Sequence, residues 1–147
     1  MYHHFTVRRV VLDTSVIVSA FRSSRGASFE ILNLVAARRL VPLASTSLFL
    51  EYEDVLRREE QKAVHGLDEE KLETAVRALA ALCELVEPHF RWRPQLLDPA
   101  DEMVLEVAIN GRTEAVVTHN VRDFDRAAPD FGVIILTPGI LLERMRK

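Results

Sequence analysis

The chain of 147 residues is long enough for one domain with a hydrophobic core, and its composition, 48% hydrophobic and 28% charged, is that of a globular protein. Its single cysteine, Cys83, excludes an intrachain disulfide and a metal site built on several cysteines, so we expect a reducing, cytoplasmic setting. No apolar stretch approaches the roughly 20 residues that a membrane span needs. The net charge of −3 provides no general attraction to nucleic acid, although a local basic rim is compatible with it.

The first half of the chain alternates strand-like and helix-like segments. RVVL, directly before Asp13, is apolar without alternation, as is typical of a parallel strand buried on both faces. Residues 26–40 repeat apolar side chains at helical spacing. LVPLA at 40–44 then predicts a strand at the edge of the sheet, because Pro42 cannot donate a hydrogen bond to a neighbour. Residues 46–60 predict the next helix.

The second half continues this alternation. Residues 67–86 predict a long helix, and residues 98–111 predict another that begins with an aspartate–proline pair. EAVVT, ending at Thr118, and GVIIL, ending at Leu136, predict two more buried strands. The order of elements predicts an α/β fold with a mostly parallel central sheet flanked by helices, in one domain over 1–147.

Asp13 lies where the first strand ends and the next helix begins. The carboxyl ends of parallel strands form the ligand-binding edge of an open α/β sheet, so this carboxylate is a candidate for chemistry. Aspartate also caps helices well, and a helix starting near Thr14 would give it that structural role. Ser15 suits either role, and the sequence leaves both open.

Glu51 borders the apolar face of the helix predicted over residues 46–60. A carboxylate is costly to bury there unless a cation lies beside it. The sequence leaves two candidates for that cation, an arginine and a metal ion.

The segment LLDPADEMVLEVA contains three acidic residues with different expected roles. Asp98, followed by Pro99, is best explained as a helix cap. Asp101 could close a capping box with Asp98 or project from the inward side of the helix towards the sheet edge. Glu102 is expected to point elsewhere.

AVVTHNVRDFD repeats the arrangement of the first strand, with polar residues Thr118, His119 and Asn120 after an apolar run. Asp123 follows and could cap a short helix, bind loop amides or join an acidic site. His119 could act as a general base, but a hydrogen-bonded structural histidine is the more common case.

Four carboxylates on four separate elements, Asp13, Glu51, Asp101 and Asp123, can therefore meet at one edge of the sheet. Clustered carboxylates repel each other and bind protons unless a cation neutralises them. Mg²⁺ and Mn²⁺ prefer such oxygen ligands, and one or two of these ions can bind a phosphodiester and activate water. The four residues predict a site for one or two divalent ions.

With these segments in this order, the sequence resembles the PIN-domain ribonucleases, of the kind found as VapC-type toxins in prokaryotic toxin–antitoxin pairs. The resemblance runs from Arg8 to about Arg144 and rests on VVLDTSVIVSAF, STSLFLEYEDVL, LLDPADEMVLEVA and AVVTHNVRDF. It implies a PIN-like, Rossmann-like fold and an Mg²⁺- or Mn²⁺-dependent endoribonuclease that hydrolyses RNA. It also implies a homodimer and, for a toxin, inhibition by a small antitoxin protein.

The resemblance further implies two sets of site residues. Those implied in metal binding and catalysis are Asp13, Glu51, Asp101 and Asp123. Those implied in supporting roles are Ser15, Thr118 and Asn120.

An acidic pocket repels RNA, so binding requires cations at its rim. Arg22 and Arg25 lie in FRSSRGAS, whose glycine and serines let the loop fit RNA or an antitoxin, and we expect them to contact one of these. HFRWRP, at 89–94, is a second candidate, because its two arginines flank Trp92, which could stack on a base. A structural role for Trp92 is the more common case there.

Three other kinds of protein share parts of this pattern. One is a non-toxin RNA-processing nuclease, and another is a catalytically silent PIN-like module that binds RNA or protein. Acidic residues at all four motif positions count against the silent module. A phosphoacceptor domain that uses Asp13 would need a lysine after a late strand, and the lysines at 62, 71 and 147 do not provide one.

Overall fold

The computed structural model describes residues 8–87, 98–125 and 128–146. The strands in this part of the chain are β1 (Arg9–Leu12), β2 (Val41–Ala44), β3 (Glu84–Leu85), β4 (Ala115–Val117) and β5 (Ile134–Leu136). The helices are α1 (Thr14–Arg22), α2 (Ala27–Ala36), α3 (Thr46–Leu56), α4 (Glu59–His65), α5 (Glu69–Leu82), α6 (Pro99–Gly111), α7 (Val121–Phe124) and α8 (Pro138–Met145). None of these helices combines the length and apolar character needed to cross a membrane.

The strands form a sheet in the order β3-β2-β1-β4-β5, and every pairing is parallel. The predicted α/β fold with a parallel sheet and flanking helices is therefore confirmed. Consecutive residues of the central strands, Val10 and Val11 in β1 and Val116 and Val117 in β4, are fully buried. This burial on both faces explains why the two strands are apolar without alternation.

The direction of winding reverses at β1. From β1 the chain adds β2 and β3 on one side, and it then returns to add β4 and β5 on the other. The switch lies between β1 and β4, whose last residues, Leu12 and Val117, pair in register. Ligands of open α/β sheets bind at such a switch, beyond the carboxyl ends of the strands. Asp13 and Thr118 are the first residues past these two ends.

The prediction of an edge strand at 40–44 is wrong, because β3 pairs with β2 on its outer side. Val41 donates its N–H to Arg8 O, towards β1, so the missing N–H of Pro42 falls on the β3 side. The β3 pairing begins only opposite Leu43 and thus avoids the proline. The predicted helix over 67–86 included the residues of β3, because the apolar residues Leu82 and Val86 on either side of β3 continue its helical spacing; the observed helix α5 ends at Leu82.

The helix predicted over residues 46–60 ends at Leu56, the last member of a buried stripe with Leu48 and Tyr52. Residues 57–60 are all polar, so no apolar side chain holds them against the core. Arg58 adopts an extended conformation and starts α4 instead. Glu59 and Glu60 therefore belong to a second helix.

Candidate active site at the ends of β1 and β4

Asp13 is a buried carboxylate, 5% exposed, at the carboxyl end of β1. It occupies the N-cap position of α1, but its side chain makes no capping hydrogen bond. Its Oδ2 instead accepts hydrogen bonds from Ser15 Oγ at 2.8 Å and Thr118 Oγ1 at 2.7 Å. The capping explanation of Asp13 is therefore wrong, and the side chain is held between α1 and β4.

The two hydroxyls are in turn oriented by the loop after β4. Thr118 Oγ1 accepts the backbone N–H of Asn120 at 2.9 Å, and Ser15 Oγ accepts that of His119 at 3.2 Å. Each hydroxyl uses its own proton to reach Asp13 Oδ2. Within the described residues this leaves Oδ1 of Asp13 without a hydrogen bond, and Oδ1 is the oxygen that a cation could bind.

Asp101 on α6 lies among other carboxylates. Its side chain is only 8% exposed. Burial first, and then the negative charges of Asp13, Asp98, Asp123 and Glu102, raise the pKa of Asp101 to about 7. The carboxylates thus lie close enough to repel one another. Of the two roles predicted for Asp101, this favours the one in which its side chain projects inward rather than into solvent.

The other two acidic residues of this segment are Asp98 and Glu102. Asp98 caps α6 as predicted, with its Oδ1 accepting the Ala100 N–H at 2.9 Å. Glu102 is buried at 4% exposure, and its negative charge is the smallest of the contributions that raise the pKa of Asp101. Residues on most sides of α6 are buried, so its helical spacing does not reveal a solvent face.

Glu51 lies at the side of this cluster and is 18% exposed. Burial is the largest cause of its raised pKa; the positive charge of Arg58 opposes the shift, and the negative charges of Asp54 and Asp98 add to it. Arg58 Nη2 lies 4.0 Å from Glu51 Oε1, at the limit of an ion pair. An arginine is therefore the cation beside Glu51 in the described structure, and Asp98 connects it electrostatically with the other carboxylates.

Tyr52 joins α3 to the end of β1, and its role was missed at the sequence level. Its hydroxyl is buried and donates a hydrogen bond to the carbonyl of Leu12. The bonded residues are the immediate neighbours of Glu51 and Asp13. The available signal was a tyrosine in a buried apolar stripe, because a buried phenol needs a partner for its O–H.

Asp123 lies within α7 and is exposed. The N-cap position of this short helix is held by Asn120, so the explanation of Asp123 as its cap is wrong. Phe124 is fully buried and anchors the turn to the core. The negative charge of Asp123 contributes to the raised pKa of Asp101, and Asp123 is thus part of the acidic cluster.

The donor atoms fit a hard divalent cation in kind and in charge. They are carboxylate oxygens, Asp13 keeps one of them outside its hydrogen bonds, and burial together with neighbouring negative charges raises the pKa of Asp101. Across residues 8–87, 98–125 and 128–146, however, no three His, Cys, Asp or Glu side chains have the spacing of a ready-made metal site. Binding an ion would have to draw the carboxylates closer together.

Two exposed arginines lie near the connection between α1 and α2: Arg22 is the last residue of α1, and Arg25 lies in the loop that follows it. Arg22 and Arg25 have no ion-pair partner within the part of the chain that the structure describes. They can therefore bind an external anion without breaking an internal contact. The HFRWRP segment, with Arg91, Trp92 and Arg93, lies outside the described residues, and its role stays a prediction.

A separate cavity of about 370 Å³ lies between α3, α5 and β3. Its walls include Phe49, Leu50 and Leu85, and they contain none of the four predicted metal ligands. Cys83 lines it, but burial raises the pKa of this thiol to about 12, so it is not a reactive thiolate. The cavity therefore adds no residue to the acidic cluster.

Comparisons with known proteins agree with the fold. The family model described as PIN domain matches residues 9–122. No curated protein matches the sequence. Among solved structures, the chain is similar to one in the crystal structure of VapBC2 from Rickettsia felis bound to a DNA fragment from their promoter. The TM-score is 0.58 at 15% identity, over 88% of this chain and 98% of that chain, and at this identity the likeness concerns the fold.

Proposed function

Because the chain belongs to the PIN-domain family, we propose that it is a metal-dependent endoribonuclease that hydrolyses RNA phosphodiester bonds. The observation that carries this proposal is the conformation of Asp13. A carboxylate retained as a helix cap would accept the amides of α1, whereas this one is held by Ser15 and Thr118 beside other carboxylates.

In this proposal the four carboxylates have two roles, metal binding and positioning of the attacking water. Asp13, Asp101 and Asp123 bind one or two Mg²⁺ or Mn²⁺ ions, and Glu51 binds metal or positions the attacking water. A bound divalent ion lowers the pKa of its water and stabilises the leaving oxygen of the phosphodiester. Asp101, with a pKa of about 7, is partly protonated at neutral pH in the absence of a cation and would release that proton when one binds.

The residues around the cluster fix its geometry. Ser15 and Thr118 hold the Asp13 carboxylate in one orientation, and the Asn120 N–H orients the Thr118 hydroxyl. Two hydroxyls on one oxygen restrict the side chain to a single rotamer, so Oδ1 is pre-positioned for its ligand. Arg22 and Arg25 supply the positive charge that brings RNA to an otherwise acidic surface.

The finer proposal is that the chain is the toxin of a type II toxin–antitoxin pair, a homodimer inhibited by a small antitoxin protein. Its support is the similarity of the fold to a chain of the VapBC2 structure. A small open reading frame beside the gene whose product binds this chain and blocks cleavage would support the toxin role. Cleavage that no neighbouring product inhibits would favour an RNA-processing nuclease.

The test of the nuclease proposal is a cleavage assay on end-labelled RNA with Mg²⁺, with Mn²⁺ or with EDTA. We expect cleavage with either metal and none with EDTA, and Asp13→Asn serves as the matched control. RNA binding without cleavage under all three conditions would instead identify a silent binding module. Equal cleavage by wild type and by Asp13→Asn would show that the activity does not depend on Asp13.

A further inference from the structure

His119 is an exposed histidine that the structure holds in place at both ends. Its backbone N–H donates to Ser15 Oγ at 3.2 Å, and its ring Nε2 lies 3.0 Å from Ser28 Oγ. Ser28 is 1% exposed and belongs to the first turn of α2. The imidazole is thus immobilised without being buried, which costs conformational freedom that a purely solvated side chain would keep.

The contrast with His65 separates this arrangement from a structural histidine. The ring of His65 uses both nitrogens on the backbone, with Nε2 3.0 Å from Leu56 O and Nδ1 accepting from Leu67 N at 3.0 Å. The His119 ring uses only Nε2 within the described residues. Its Nδ1 remains for a ligand.

His119 lies between the acidic cluster and the loop that contains Arg25. On one side, the residue follows Thr118 and binds Ser15, and both of these residues hold Asp13. On the other, Ser28 follows the loop of Arg25 by three positions. A strand of RNA that runs from the carboxylates to this loop therefore passes the imidazole.

We propose that His119 binds, through Nδ1, a phosphate next to the one that is cleaved, and that Ser28 positions its ring. This inference rests on the proposed nuclease function and adds a contact for the substrate. A phosphate beside a carboxylate cluster needs a fixed hydrogen-bond donor. In the proposed tautomer His119 Nε2 accepts the proton of the Ser28 hydroxyl, so Nδ1 carries the ring proton and donates it to the phosphate. His119 is a binding residue here, and Ser28 is a positioning residue.

Two substitutions distinguish the ring nitrogens. His119→Asn keeps a polar group near the place of Nδ1, whereas His119→Gln keeps one near the place of Nε2. We expect His119→Gln to raise KM by about tenfold, the size expected for one lost hydrogen bond to a charged group, with little change in kcat. His119→Asn should recover part of that loss, and Ser28→Ala should raise KM by a smaller factor. Affinity for Mn²⁺ should stay at the wild-type value in all three.

The inference fails if His119→Gln and wild type cleave RNA with the same KM, and that result leaves the nuclease proposal intact. Fluorescence anisotropy of labelled RNA in EDTA tests the contact separately from cleavage. If wild type binds RNA but does not cut it, the nuclease proposal fails, and weaker binding by His119→Gln still supports the contact. Equal binding by both proteins would overturn it.

A 2′-deoxy oligonucleotide tests whether the contact is to phosphate. A phosphate contact predicts that His119→Gln weakens the anisotropy-measured affinity by the same factor for ribose and deoxyribose strands. A loss restricted to the ribose strand would overturn the phosphate assignment in favour of the 2′-hydroxyl group.

Discussion

Asp13 and Asp98 both lie directly before the first residue of a helix, but their side chains are used differently. Asp98 Oδ1 accepts the Ala100 N–H at 2.9 Å and so satisfies an amide at the start of α6. Asp13 makes no such bond to α1 and accepts two hydroxyls at one oxygen. Asp98 thus stabilises its helix, whereas the side chain of Asp13 is held at the edge of the sheet.

Strand pairing accounts for the difference. Leu12 and Val117 are partners in the β1–β4 register, so Thr118 comes to lie beside Asp13 and offers its hydroxyl. A hydroxyl from a neighbouring strand competes with the helix amides for the carboxylate. Local capping preferences do not include such a partner, which is why the sequence left both roles of Asp13 open.

The largest effect is expected at Asp13, where a substitution tests whether the carboxylate binds metal. Asp13→Asn keeps an oxygen that can accept the Ser15 and Thr118 hydroxyls but removes the negative charge. We predict that kcat/KM for Mg²⁺-dependent RNA cleavage falls by more than about 100-fold, since a metal ligand is lost. The thermal unfolding temperature of the metal-free protein should be unchanged or higher, because repulsion within the cluster is relieved. Unchanged cleavage would remove Asp13 from the mechanism.

Asp101 tests the repulsion itself. Its folded-state pKa of about 7 lies above the unfolded value, so the protonated form favours folding and this contribution is lost as pH rises towards 7. Asp101→Asn removes the titration. We predict that in EDTA it raises the free energy of unfolding above pH 7, by at most about 4 kcal/mol, and by little near pH 4. Urea unfolding at both pH values measures this, and equal gains at both would contradict a repulsive cluster.

A double substitution of Arg22 and Arg25 tests RNA binding separately from metal binding. Replacing both with alanine removes two phosphate-binding charges and leaves the carboxylates in place. We predict RNA affinity about tenfold weaker and a salt-dependence slope smaller by about 1 to 2, with the affinity for Mn²⁺ unchanged. An undiminished slope would show that RNA binds along another surface.

The smallest effect is expected at Asp98. Asparagine caps a helix about as well as aspartate, so Asp98→Asn should change stability by only about 0.5 kcal/mol or less, whereas Asp98→Ala should cost about 1 kcal/mol. Cleavage by Asp98→Asn should stay within about threefold of wild type, because the bond to Ala100 is kept. A loss as large as that of Asp13→Asn would show that both aspartates bind metal.

The sequence predicts the parts of the fold that local patterns encode. β1 and β4 are continuous apolar runs, and the start of α6 carries its own capping signal at Asp98, so all three are confirmed. β3 was missed because Glu84 and Leu85 become a strand only through their pairing with β2. The end of α3 at Leu56 likewise depends on which residues the core can bury.

The candidate site shows the same limit. Its acidic residues could be selected from strand ends and helix faces, but the contacts that organise them join distant parts of the chain. The Tyr52 bond to Leu12 and the Ser28 contact with His119 span 40 and 91 positions, and neither leaves a local pattern. The burial of Glu102 was not predicted, because helical spacing alone does not show that α6 is buried on most sides.

The most direct test of the acidic cluster is a crystal structure of the protein with Mn²⁺, with the ion located by its anomalous scattering. We predict a peak bound by Asp13 Oδ1 and by Asp101, while Asp98 keeps its hydrogen bond to the Ala100 N–H. A preparation that cleaves RNA with Mn²⁺ but shows the ion only at other residues, with Asp13 unbound, would contradict the assignment of Asp13 as a metal ligand.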